Sequence, residues 1–131
     1  MPTRTRTAFL LLVLAQAIHS VEEYLFRLYD VLAPARFVSG LIGLDRATGF
    51  IVANVGIFVF GLWCYLRRIA PGHPAARAYA WGWAAIEILN AFAHAALALA
   101  AGGYFSGLAT APLLLIAGVL LATRLTQNMA S

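Results

Sequence analysis

The chain has 131 residues, 63% of them hydrophobic and 11% charged, with a mean hydropathy of +0.84. Soluble domains carry about 25% charged residues, and a fold this short could not hide so much apolar surface from water. The formal charge is +4 and all nine basic residues are Arg, but they flank apolar runs instead of forming a patch, which argues against nucleic-acid binding. What remains is a single integral membrane domain over residues 1–131, an all-α bundle with the lipid bilayer as its solvent.

A spanning helix needs roughly 20 mainly apolar residues, and four segments qualify. The first covers about 7–28. Arg4 and Arg6 followed by Ala8–Leu14 and Ala15-Gln16-Ala17 resemble a signal peptide, yet the apolar character resumes beyond the apparent cleavage site, so this segment reads as an uncleaved first span. Residues 29–47, with Pro34, Gly40, Gly43 and Asp45-Arg46, read as a loop with room for a short interfacial helix. The second span covers about 48–66 and ends in Arg67-Arg68. Pro71-Gly72-His73-Pro74 is a tight turn, in which His73 is expected to be solvated. The third span covers about 78–101. Gly102-Gly103 makes a close hairpin to the fourth, about 105–123, where Gly107, Ala111, Gly118 and Ala122 suggest a small-residue packing face. Cys64, the single cysteine, reads as a packed thiol.

Arginine placement orients the four-helix bundle. Arg4, Arg6, Arg67, Arg68, Arg77 and Arg124 fall on one side, and Arg27, Arg36 and Arg46 on the other with Asp30 and Asp45. The positive-inside rule then puts both termini in the cytoplasm, with the chain in the plasma membrane (the inner membrane in a bacterium). Trp63, Tyr65, Tyr79, Trp81 and Trp83 form an aromatic belt near that face.

Three of the five acidic residues, Glu22, Glu23 and Glu87, lie inside spans, as do His19, His94, Asn54 and Asn90. An ionisable residue at the bilayer centre costs about 2.5–3.5 kcal/mol on insertion scales, so these carboxylates must face the bundle interior. Spacing gathers them. His19 and Glu22 are i, i+3 on one helix, with Glu23 bordering them. Glu87, Asn90 and His94 are i, i+3, i+7 on another. At about 1.5 Å per residue, these groups and Asn54 fall in one layer slightly outside the midplane, in the outer half of the bilayer.

Two His and three Glu suit a divalent metal bound through nitrogen and oxygen: Fe, Zn or Mn. Three ionised carboxylates, two divalent cations and a bridging hydroxide sum to zero, whereas one divalent ion leaves −1 and requires a protonated Glu or a nearby Arg. The expected ligands are His19, Glu22, Glu23, Glu87, Asn90 and His94, with Asn54 in a supporting position and Glu22, Glu23 and Glu87 available for proton transfer. The expected activity is that of a metal-dependent membrane enzyme acting on an apolar or lipid-like small molecule that enters from the bilayer. A metal-free acid–base isomerase or cyclase for a sterol- or terpene-like substrate is the alternative, and an ion or proton transporter a third. Oligomeric state is not legible.

His19-Ser20-Val21-Glu22-Glu23 resembles the signature of the HXXEE family, small membrane proteins named for that motif. Asn90-Ala91-Phe92-Ala93-His94 is similar to a second, Asn-x-x-x-His element of the same family. The resemblance covers essentially the whole chain and implies a metal-dependent or enzymatic role with no specified reaction.

Overall fold

The computed structural model describes residues 1–43 and 45–127, and among these it is all-helical. The chain runs as α1 (Thr3–Leu25), α2 (Leu28–Val31), α3 (Ala33–Ile42), α4 (Arg46–Cys64), α5 (Ala76–Ala101) and α6 (Ala111–Gln127). α4 continues into a single π-helical turn, Tyr65–Ile69. Three helices are long and apolar enough to cross a membrane: Thr3–Leu25, Arg46–Ile69 and Ala76–Ala101.

Each boundary has a local cause. α1 stops where Arg27 takes a left-handed conformation, φ 56°, and the chain turns into the short helices α2 and α3. The expected loop at 29–47 is thus mostly helical, and α3 leaves Phe37, Val38, Leu41 and Ile42 exposed. α3 also packs backbone to backbone on α4, because a Cβ on Gly49 would collide with the Ser39 carbonyl. Asp45 caps α4 by accepting from the Thr48 N–H at 2.9 Å. Gly102, at φ 69°, closes α5 with the Gly103 N–H on the Ala98 carbonyl and the Gly102 N–H on the Leu99 carbonyl, the two bonds of a Schellman cap. His73 accepts from the Ala75 N–H within its turn, and is only half-exposed.

The fourth helix departs from expectation. It begins at Ala111, not near residue 105, and has 17 residues, about 25 Å of helix against a hydrocarbon core of about 30 Å. Residues 102–110 form a non-helical segment folded against α1 and α5, with Ser106 and Gly107 buried. Irregular backbone in an apolar surrounding is stable only where protein covers it. Thr110-Ala111-Pro112 marks the helix start, with Pro112 in its first turn.

α1 is the central helix, packed on α4, α5 and α6. Phe9, Leu12 and Val13 of α1 meet Ala80, Trp83 and Ala84 of α5, Cys64 of α4, and Leu114 and Leu121 of α6. Small residues permit the close approaches: Gly61 faces Trp83 and Val13, and Gly118 faces Ile88. Trp83 is buried against Phe9 and Phe60, so it belongs to the core and not to an aromatic belt. Trp63 and Tyr79 meet edge to face, with Arg68 over both rings. The outer surface carries large apolar side chains, Leu99 being 84% exposed, while His19, Glu22, Glu23, Glu87 and His94 are buried. A polar interior inside an apolar shell suits a surrounding of lipid.

Candidate metal centre

α1 and α5 bring His19, Glu23 and His94 together at the outer face of the aliphatic core. Nε2 of His94 lies 3.1 Å and Nε2 of His19 lies 3.3 Å from the same Glu23 oxygen, Oε1. One ligand atom from each residue falls within 4.8 Å of the others. The two rings meet edge to face, with centroids 4.6 Å apart.

The loop before α6 determines how the rings sit. His94 Nδ1 lies 2.6 Å from the Ser106 carbonyl oxygen. A carbonyl only accepts, so Nδ1 carries the proton and Nε2 presents a lone pair to Glu23. His19 Nδ1 lies 2.7 Å from the Thr110 hydroxyl, which donates its proton to Glu22. The hydroxyl has one hydrogen, so His19 Nδ1 must donate to it, and His19 Nε2 is again the bare nitrogen. It is buried and has no hydrogen-bond partner. Two nitrogen lone pairs and a carboxylate oxygen thus converge with no proton assigned between them.

Glu22 faces away from this point. Its carboxylate accepts from the Tyr104 hydroxyl (2.5 Å), the Ala109 N–H (3.0 Å), the Thr110 N–H (2.8 Å) and the Thr110 hydroxyl. Four donors use the acceptor capacity of a carboxylate, so Glu22 clamps the loop and orients His19 through Thr110. Burial and the bond to Glu22 push the Tyr104 phenol up to about 12. Gly107, at φ 91°, packs so tightly on both imidazoles that a Cβ there would collide with them.

Glu87 and Asn90 share the α5 stripe with His94 but open on an adjoining groove. Asn90 donates to Glu87 at 3.4 Å, and both line the groove with Gln16 of α1. Asn54 lies on another flank of α1, where it accepts from Ser20 and donates to the Phe50 carbonyl. The six expected ligands therefore divide into a convergent His19–Glu23–His94 group, a loop clamp at Glu22, and a groove wall at Glu87 and Asn90. Sequence reasoning missed Gln16, Ser20, Tyr104, Ser106, Gly107 and Thr110. Tyr104, Ser106 and Thr110 are polar residues next to a glycine pair, at the edge of an apolar run, which was the available signal.

Structural and catalytic metal sites commonly hold His through one ring nitrogen while the other donates to a carbonyl or carboxylate; His94 does this through the Ser106 carbonyl, and His19 donates to the Thr110 hydroxyl, which passes the bond on to Glu22. Nitrogen and oxygen ligands about 2.0–2.1 Å from a zinc ion stand about 3.3 Å apart at tetrahedral angles, close to the separations seen from Glu23 Oε1. Two of the three separations among the donor atoms thus match those of ligands on one divalent ion, and the third lies within 4.8 Å.

No curated protein and no solved structure matches the chain. A family model described as a protein of unknown function with HXXEE motif matches residues 10–122, a span that includes His19, Glu22, Glu23 and His94. The buried histidine–glutamate group on the motif helix and the length of that match place the chain in the HXXEE family.

Proposed function

We propose that this chain is a metal-dependent membrane enzyme in which His19, Glu23 and His94 hold one divalent ion and act on an apolar or lipid-like molecule. One observation carries the reading: three electron-pair donors converge in a buried space, each histidine being committed to this tautomer by the loop. Buried acceptors without a proton or cation between them repel one another and are costly. Two histidines and one carboxylate leave further coordination positions open, as in hydrolytic zinc sites and in non-haem iron sites. When bound, such an ion supplies Lewis acidity, activates water or, as iron, binds oxygen.

The protein's own groups have separate tasks. Glu22 and Thr110 hold the His19 tautomer, the Ser106 carbonyl holds that of His94, and Gly107 lets the loop close over both rings. Glu87 lies outside the donor group on the same α5 stripe, where it is free to exchange protons with a substrate in the groove.

A second reading is supported by the 3.1 Å His94–Glu23 separation, which also suits a hydrogen bond. A proton shared there would make the pair an acid–base catalyst without metal. Metal analysis separates the two. Protein purified in detergent, without chelators, is expected to hold close to one equivalent of Zn, Fe or Mn, lost in both His19→Ala and His94→Ala. Less than about 0.2 equivalents in wild type after incubation with each ion would sink the metal reading and leave the acid–base one.

A further inference from the structure

The groove beside the metal centre has a polarity of its own. It has a volume of about 600 Å³ and runs between α4 and α5, over Ile57, Phe60, Gly82, Trp83 and Ile86. Its walls are apolar except for Tyr79, about two helical turns before Glu87, and for the end where Gln16, Glu87 and Asn90 meet it.

A directional hydrogen-bond chain determines which atom Gln16 offers there. Asn54 Nδ2 donates to the Phe50 carbonyl at 3.0 Å, which leaves Asn54 Oδ1 to accept from Ser20 at 2.7 Å. Ser20 has no second hydrogen, so it can only accept from Gln16 Nε2, at 3.2 Å. The amide orientation of Gln16 follows, and Oε1 is left over. That oxygen is buried and has no partner, on a residue only 6% exposed. Glu87, 3% exposed, adds a carboxylate with no cation paired to it among the described residues; its one hydrogen-bond partner is Asn90 Nδ2 at 3.4 Å. Asn90 spends a donor on Glu87 and keeps its own oxygen as an acceptor.

The groove end thus brings together three acceptors, the Glu87 carboxylate and the Asn90 oxygen at its wall and Gln16 Oε1 buried just behind it, and an apolar channel leads away from them. A buried carboxylate is strongly destabilising until a cation or proton meets it. An alkylammonium head supplies one positive charge and three N–H donors, matching the three acceptors in number and sign. A hydroxyl supplies one donor and no charge.

We propose that the groove binds a long-chain primary amine, its ammonium between Gln16, Glu87 and Asn90 and its chain along Trp83 and Phe60. This deepens the enzyme reading by naming the substrate class, and rests on that reading for the role of the ligand but not for its binding. Gln16 is one helical turn from His19, so the head lies beside the His–Glu group, roughly 5 Å away along α1.

The test uses Trp83 as reporter in full-length protein carrying Trp63→Phe and Trp81→Phe, in micelles. The probes are 11-bromoundecylamine, 11-bromoundecan-1-ol and 1-bromoundecane, with bromine as the quencher. The amine is expected to quench saturably, with an apparent Kd at least tenfold tighter than either other probe, and tenfold weaker in Glu87→Gln and Gln16→Leu. Gly82→Leu, where a side chain has open space, is expected to block the channel and abolish saturable quenching while leaving the polar end intact. Equal quenching by alcohol or bromoalkane would overturn the amine proposal, as would unchanged affinity in Glu87→Gln and Gly82→Leu. Metal content measured on the same samples keeps the two readings apart: amine binding without metal defeats only the metal-dependent reading, and metal without selective amine binding defeats only this proposal.

Discussion

Nδ1 of His94 donates to the carbonyl oxygen of Ser106 at 2.6 Å, and this single bond turns the other ring nitrogen, Nε2, toward Glu23. The same logic holds for His19 through Thr110. Both imidazoles are therefore expected in the Nδ1–H form. Nitrogen-15 NMR of histidine-labelled protein at neutral pH distinguishes the tautomers, and an Nε2–H signal for either residue would contradict the assignment.

Thr110 passes the orientation from Glu22 to His19, so Thr110→Val, nearly the same shape, should release the His19 ring. Loss of such an outer partner typically lowers metal affinity about 10- to 100-fold. Thr110→Ser should restore it. Competition against a chelator of known affinity measures both, and full affinity in Thr110→Val would show that His19 needs no orienting partner.

Glu22→Gln replaces one acceptor oxygen with a donating NH₂ that must face N–H or O–H groups it cannot bond. A buried unsatisfied group costs about 1–3 kcal/mol, and the cost should appear as earlier unfolding in mixed micelles. Thr110 is then free to donate into His19, switching its tautomer, so metal affinity should fall together with stability. A variant as stable as wild type would remove the clamp from the account.

Gly107→Ala meets two obstacles at once: a left-handed backbone at φ 91° and a Cβ placed against both imidazoles. The loop should lift from the rings, with loss of metal retention and of more than about 1 kcal/mol in stability. Normal metal retention in a folded Gly107→Ala protein would mean that the loop does not hold the histidines.

The Tyr104 hydroxyl supports the same loop. Its pKa, raised to about 12, means the bond to Glu22 contributes stability that is fully present below the ordinary phenol value of 10 and is lost as pH rises through about 12. The difference in 295 nm absorbance titration between wild type and Tyr104→Phe should place the missing tyrosine near pH 12. A missing component near pH 10 would show that the bond is absent in solution.

Three long apolar helices were legible because a run of about 20 apolar residues has few other uses, and the polar stripes because helical periodicity puts His19 beside Glu22 and Glu23, and Glu87 in line with Asn90 and His94. Periodicity, however, describes one helix at a time. It does not state how far each helix is rotated toward its neighbour, so Asn54 could be assigned a depth by sequence but not its actual partner, Ser20. Nor does it give the path of residues 105–110, which read as the start of the fourth span and instead belong to a segment that folds inward, with Gly102 and Gly107 at positive φ. That fold separated Glu22 from Glu23, although they are adjacent in sequence: hydrogen-bond donors from the loop claimed one carboxylate and left the other to the two histidines. Sequence alone determined which costly groups lie in the apolar segments; only the tertiary structure, by pairing donors with acceptors, decided which of them remain free to bind something else.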